Sequence, residues 1–332
     1  MGSFPAENLP LSPTLLSVTI TKTENLVIDA YEVVKPDVDL LSSVTGERQR
    51  QLLQGLTQTL PETLPFLYKL LDEHFGAAMA AMEQNHMESA KQHAATVTAA
   101  LNAVIAYAEW APVVSLANYG LIQACGFLLS AIEFQTSACE VFRLMAGRRR
   151  PVDESVGNYD IVMEGVFDTL CNASKAYFSY LNKRAAFGEE MDEENDFGEC
   201  LCEAMVALGQ QNLHCVARND SKVTTYLHQM LCFLQHPKLA LHSIALPLWT
   251  TLLRESSLAM STTDQQGLTD KEKEKPSHAV IISQDFCAML LDIAFQRLLI
   301  KDGGDGSVES ETWIQEFSSA SDFSQFQKST FP

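Results

Sequence analysis

The sequence is poor in basic residues: 23 Lys and Arg stand against 42 Asp and Glu, which leaves a net charge of −19 over 332 residues. This balance argues against a free-standing DNA-binding domain, because phosphate binding requires clustered Lys and Arg. Proline and glycine are also scarce, at 12 and 16 residues, which is too few for a fibrous or low-complexity chain. The hydrophobic share of 46% predicts instead a folded chain of one or two domains.

Signals for secretion and for membrane insertion are weak. No basic residue precedes Lys22, so the charged region of a signal peptide is lacking. The eight cysteines lie mostly in apolar stretches, as reduced intracellular cysteines do. Residues 110–132 carry no Asp, Glu, Lys or Arg and are long enough to cross a bilayer. Pro112 and Gly120 interrupt this stretch, so we expect buried helices there and no membrane partner.

The spacing of apolar residues predicts an all-α chain. A stripe that runs from Leu52 to Leu60 indicates one helix, Pro61 suits the first turn of the next, and Met87 to Ala108 is a long alanine-rich helix. Gly147 is expected to end a helix in the left-handed conformation. The best strand candidate is the short stretch 18–21. Further helices are predicted over 121–129, 136–144, 159–181, 199–216, 224–234, 238–253 and 278–299.

Repetition of helix, short turn and helix is typical of an α-solenoid. We predict HEAT-like antiparallel helix pairs forming an armadillo-type superhelix, with about six units of ~40 residues between 47 and 300. A compact helical bundle is the competing architecture. Residues 1–22 are expected to be a disordered leader, 23–300 the helical repeat segment, and 301–332 a mostly disordered acidic, serine-rich tail.

No motif of a known catalytic or cofactor site is present: the sequence lacks a GxSxG elbow, an HExxH pair and a P-loop. Cys200 and Cys202, with His214 and Cys215, superficially resemble metal ligands. However, residues two apart on a helix point ~200° away from each other, so the first two cysteines cannot easily share an ion. We therefore predict no catalytic, cofactor-binding or metal-binding residue, and no enzyme activity.

Two charged stretches are candidate contact sites. The most basic one holds Arg143, Arg148, Arg149 and Arg150, which either complement a helix C-terminus, the interpretation that we favour, or contact a phosphate or an acidic partner. The acidic stretch either meets a basic protein surface or is only solvated. Its residues are Glu189, Glu190, Asp192, Glu193, Glu194 and Asp196.

Several helical stretches resemble a known family. They include LPETLPFLY at 60–68, NAVIAYAEWAP at 102–112 and FLQHPKL at 233–239. Together they are similar to the plant HASTY and exportin-5 family of importin-β-like karyopherins, and the similarity covers about residues 47–320. The stretch at 102–112 is the most specific of the three.

The resemblance implies a segment of a nuclear export receptor built from HEAT repeats. Family members bind Ran-GTP and small structured RNA (microRNA precursors, microRNA and in some cases tRNA), carry protein cargo, touch Phe-Gly repeats of nucleoporins, and shuttle between nucleus and cytoplasm. They are several times longer, so we expect this chain to correspond to an internal piece that binds RNA weakly or not at all by itself. The alternative is a HEAT-repeat scaffold of a multiprotein complex unrelated to transport. The resemblance assigns no contact residue.

Overall fold

The computed structural model describes residues 47–151, 156–186, 196–264 and 282–299. Every regular element within these ranges is helical, which confirms the predicted fold class, an all-α solenoid of HEAT-like helix pairs. The predicted leader, the candidate strand at 18–21 and the tail at 301–332 lie outside the described residues.

The chain divides into two compact units, Met1–Val141 and Phe142–Pro332. Within the described ranges the helices are α1 (Glu47–Glu83), α2 (Met87–Trp110), α3 (Val113–Asn118), α4 (Leu121–Leu128), α5 (Gln135–Ala146), α6 (Val156–Ala186), α7 (Asp196–Asn212), α8 (Asp220–Gln235), α9 (Leu239–Asp264) and α10 (Gln284–Leu299). A 3₁₀ turn, Leu213–Cys215, follows α7.

The first unit is built on the hairpin of α1 and α2. Leu64 and Leu67 of α1 and Val97 and Leu101 of α2 are at most 1% exposed. Full burial of such side chains stabilises a fold by about 1.5–3 kcal/mol each. Many of the other buried positions of α2 are alanines, whose small side chains let the two helix backbones approach closely. The alanine-rich pattern thus predicted α2 to within two residues of its observed end.

Helix α1 corrects one prediction, because Pro61 does not begin a new helix. The helix runs unbroken for 37 residues with Pro61 and Pro65 inside it. A proline inside a helix costs about 3 kcal/mol. Against this cost, Leu60, Leu64 and Leu67 form a buried stripe along the same stretch of helix. Pro61 itself is exposed to solvent. Burial of that stripe outweighs the local cost and keeps the helix in one piece.

The uncharged stretch 110–132 is divided as predicted. The short helix α3 occupies the region of the expected break, and Gly120, with φ of 78°, turns the chain into α4. Within the part of the chain that the structure describes, no helix is both long enough and apolar enough to span a membrane.

Gly147 does not adopt the left-handed conformation that was expected of it. Its amide donates to Arg143 O at 3.1 Å, and the amide of Arg148 donates to Met145 O at 3.1 Å. The last turn of α5 therefore closes with right-handed geometry, and the prediction for Gly147 was wrong.

The second unit packs α6 with α7 and α8, and α9 with α7 and α8. An aromatic contact joins Phe167 of α6 edge-on to Tyr226 of α8, with ring centroids 5.4 Å apart. The phenol of Tyr226 donates to Met205 O of α7 at 2.8 Å. Gly209 lies beneath this ring, where an added Cβ would collide with the phenol oxygen of Tyr226 and come within 2.9 Å of Leu248. The glycine is thus required for close packing of α7.

Candidate functional site

The candidate site lies in the second unit, where three segments meet. These are the arginine-rich turn after α5, the first turn of α6, and the end of α7 with its 3₁₀ turn. The residues that form it are Arg148, Arg150, Tyr159, Asp160, Asn212, His214 and Cys215.

A buried hydrogen-bond network fixes the turn. Asn212, which is fully buried, donates from Nδ2 to Ala146 O at 2.8 Å and to Arg148 O at 3.3 Å. Tyr159, 3% exposed, donates from its hydroxyl to Asn212 Oδ1 at 2.8 Å. Burial raises the pKa of Tyr159 to about 12, so the phenol stays protonated and remains a donor at neutral pH. The network satisfies carbonyls at the end of α5 that have no partner inside the helix.

A two-point ion pair lies at the surface of the same turn. Arg150 donates from Nε to Asp160 Oδ1 at 2.8 Å and from Nη2 to Asp160 Oδ2. Partial burial opposes ionisation of Asp160, but the hydrogen bond and the charge of Arg150 outweigh it and lower the pKa of that carboxyl. The carboxylate in turn raises the pKa of Arg150 through its hydrogen bond. This fork geometry is the stronger form of an arginine–carboxylate contact.

His214 and Cys215 face the same carboxylate from the 3₁₀ turn. Cys215 Sγ lies 3.5 Å from Asp160 Oδ1 and 3.3 Å from His214 Nε2, and that nitrogen is 3.9 Å from Asp160 Oδ1. All three side chains are partly exposed. Burial, followed by the charge of Asp160, raises the pKa of Cys215 to about 12, so its thiol is protonated at neutral pH.

The protonated thiol limits the chemistry that this cluster supports. A nucleophilic cysteine needs a depressed pKa, because the thiolate is the reactive form. Burial likewise raises the pKa of Cys125 to about 12 and that of Cys171 to about 11. None of these three thiols is therefore activated as a nucleophile.

The structure separates the four arginines that the sequence singled out. Arg143 lies in the last turn of α5 and pairs with Glu203 Oε2 at 3.7 Å, and Arg150 pairs with Asp160. Arg148 is half-buried, and that burial lowers its pKa, while Arg149 is exposed. Two of the four are thus engaged by carboxylates of the same unit. Their role as a phosphate or acidic-partner contact stays a prediction.

Most of the acidic stretch lies outside the described residues. Those residues are Glu189, Glu190, Asp192, Glu193 and Glu194. Asp196 begins α7 and is exposed, and Glu199 in the same turn pairs with Lys238 Nζ at 2.7 Å. Acids in the first turn interact favourably with the positive end of the helix dipole. Contact of this stretch with a basic protein stays a prediction.

The two cysteines of α7 that resembled metal ligands differ in their exposure to solvent. Cys202 is fully buried and its thiol lies 3.7 Å from Leu241 O, whereas Cys200 is half-buried. Only His214 and Cys215 of that sequence group come together. Sequence analysis missed their third neighbour, Asp160, because it lies 54 residues upstream and has no local signal.

Two family models match the chain. One describes the Exportin-5 family and matches residues 192–330, and the other describes Exportin 1-like proteins and matches residues 32–142. The Exportin 1-like match covers most of the first compact unit. The Exportin-5 match covers α7 to α10.

Curated relatives match over most of the chain. Protein HASTY 1 of Arabidopsis thaliana is 37% identical over 330 residues, which is 94% of this chain and 27% of that protein. Exportin-5 of Homo sapiens is 25% identical over 248 residues, or 72% of this chain and 20% of that protein. Exportin-5 of Dictyostelium discoideum is 23% identical over 256 residues, or 74% and 21%. The chain thus spans about a fifth to a quarter of the length of these relatives.

Proposed function

The chain belongs to the exportin-5 family, and on that premise we propose that it serves as a helical-repeat segment of a nuclear export receptor. The observation that carries this proposal is the match to HASTY 1 along nearly the whole chain, on a fold of successive helix pairs. We propose a binding role without catalysis, in the nucleus and cytoplasm, within a receptor that takes up Ran-GTP, small structured RNA and nucleoporin Phe-Gly repeats.

The packing of the described helices supports a binding role. Helix pairs bury their apolar faces against neighbouring helices, and such stacks offer extended surfaces to a partner. The three thiols with strongly raised pKa supply no nucleophile. The proposal therefore rests on surface contact instead of on a reacting group.

Electrostatics lead us to expect that the isolated chain binds hairpin RNA weakly. The net charge is −19, and several basic side chains of the described ranges pair with carboxylates of the same chain. Lys222 lies 3.0 Å from Glu164 and 2.7 Å from Asp168, and Arg143 and Arg150 pair as described above. RNA would have to displace these carboxylates before any counterion release could favour binding. Fluorescence anisotropy with a labelled hairpin should show no saturable binding at physiological salt, and tight, salt-sensitive binding would contradict this expectation.

Co-purification distinguishes the export receptor from a scaffold of another class. The tagged gene product is recovered from nuclear extract with and without a Ran variant locked in the GTP state, and its partners are identified by mass spectrometry. The proposal predicts Ran and nucleoporins, with recovery that depends on GTP. Subunits of an unrelated enzyme complex, recovered regardless of Ran, would contradict it.

A further inference from the structure

The cluster of Asp160, His214 and Cys215 has the composition of a transition-metal site. Its three side chains offer one carboxylate oxygen, one imidazole nitrogen and one sulfur, and these ligand atoms all lie within 4.8 Å of one another. Thiolate and imidazole are the ligands that zinc prefers, whereas Mg²⁺ and Ca²⁺ select oxygen ligands. We propose that these three residues bind a zinc ion, which joins the start of α6 to the turn after α7.

The distances fit a shared ion. Ligand atoms at zinc bond lengths in a tetrahedral site lie about 3.3–3.8 Å apart. The observed separations are 3.3 Å for sulfur and nitrogen, 3.5 Å for sulfur and oxygen, and 3.9 Å for nitrogen and oxygen. The two separations that involve sulfur lie within this range, and the nitrogen–oxygen separation is slightly above it. Three protein ligands leave a fourth position for water.

The surroundings supply access and orientation. The side chains of His214 and Asp160 are 21% and 30% exposed, so an ion can enter from solvent. Arg150 orients the carboxylate through Nε to Oδ1 and Nη2 to Oδ2, as outer-shell partners of metal ligands do, so Oδ1 would be shared between Arg150 and the ion. The buried Asn212 lies directly before the 3₁₀ turn and ties the end of α7 to the turn after α5. The ligand-bearing segments are thus fixed by contacts that do not need the metal.

Zinc binding changes the charges within the cluster. Binding displaces the Cys215 proton to solvent and leaves a thiolate, because a coordinating thiol is deprotonated. The thiolate and the Asp160 carboxylate then face the zinc ion and the guanidinium of Arg150 together, which leaves the site with one net positive charge. The guanidinium of Arg150 donates to Asp160 Oδ1, the oxygen that would also contact the ion.

The proposal is independent of any export function and is tested on the full chain without a polyhistidine tag. The reduced protein is loaded with Zn²⁺, dialysed against metal-free buffer and analysed for bound metal. Co²⁺ serves as a spectroscopic probe, since a thiolate ligand gives a charge-transfer band. We expect stoichiometric Zn²⁺ and this band in the unaltered chain, and loss of both in Cys215→Ser and His214→Gln. Arg150→Gln should weaken affinity by about 10–100-fold.

Two controls make the result decisive. Cys200→Ser removes a half-buried thiol of α7 outside the cluster and should retain the metal. Cys215→Ser leaves the pair of Arg150 and Asp160 intact, so an unchanged circular-dichroism spectrum separates loss of a ligand from loss of fold. Metal content at the level of the buffer blank in the unaltered chain, or unchanged metal content in a folded Cys215→Ser variant, would overturn the proposal.

Discussion

At the scale of single residues, Asn212 holds together the turn that contains the candidate site. Its amide donates to the carbonyl of Ala146, the last residue of α5, and to that of Arg148, and accepts a hydrogen bond from the buried phenol of Tyr159. A buried polar group that loses its partner costs about 1–3 kcal/mol. These hydrogen bonds join three segments that are far apart in sequence, so no local pattern near position 212 could predict them.

Asn212→Ala should lower the free energy of unfolding by about 1–3 kcal/mol, because Ala146 O loses its side-chain donor and Tyr159 and Arg148 O keep only their mutual bond at 3.2 Å. Urea unfolding followed by circular dichroism measures the loss. Asn172→Ala, at an exposed position of α6, is the matched control and should change stability by less than about 0.5 kcal/mol. Equal midpoints for Asn212→Ala and the unaltered chain would refute the role given to this side chain.

Tyr177 makes stability depend on alkaline pH. Burial raises its pKa from 10.0 to about 12, so the folded state holds the phenol proton more tightly than the unfolded chain does. The stability that this difference contributes is complete below pH 10 and is lost as the pH rises from 10 to 12, at about 1.4 kcal/mol per pH unit.

Tyr177→Phe should flatten the decline in the free energy of unfolding above pH 10, since it keeps the ring and removes the titrating group. Urea unfolding at pH 8, 10 and 11 measures the slope. Tyr180→Phe in the same helix is the control, because Tyr180 is 51% exposed, and it should leave the slope unchanged. Parallel declines for Tyr177→Phe and the unaltered chain would count against the burial argument.

At the scale of elements, α2 and α1 show what the sequence could predict and what it could not. Alanine propensity and the apolar stripe both favoured helix over 87–108, and the observed helix ends two residues later. In α1 the local preference of Pro61 for a helix start opposed the buried leucine stripe. Burial of the leucine stripe against other helices keeps α1 continuous. The free energy of that burial cannot be derived from the position of the proline alone.

The same contrast applies to the candidate site. The basic turn at 148–150 and the neighbours His214 and Cys215 were visible in the sequence, whereas Asp160, which pairs with Arg150 and faces both others, was not. Residues 54 positions apart meet only because α6 and α7 pack together.

Pro61→Ala distinguishes the continuous helix from two helices that meet at residue 61. In a continuous helix the new amide gains a bond to Thr57 O and the ring clash disappears, so stability should rise by about 1–3 kcal/mol. Thermal or urea unfolding measures the gain. Pro112→Ala, at the start of α3, is the control and should bring no gain. A loss of stability in Pro61→Ala would show that a helix begins there.

At the scale of the whole molecule, the acidic charge and the helix pairs point to one kind of function. A net charge of −19 disfavours unaided RNA binding, and stacked helix pairs offer extended surfaces for contact with a partner. Because the chain spans only about a quarter of HASTY 1, the receptor activity that we propose belongs to a larger assembly of repeats.

The most direct measurement of that proposal is made on a chimaera of HASTY 1 in which the aligned segment is replaced by this chain. Pull-down with Ran-GTP and a labelled hairpin RNA quantifies the receptor complex, and deletion of the segment is the control that should abolish it. We predict that the chimaera forms the complex in a GTP-dependent manner. A chimaera with a normal helical spectrum that binds neither Ran-GTP nor RNA would contradict the account.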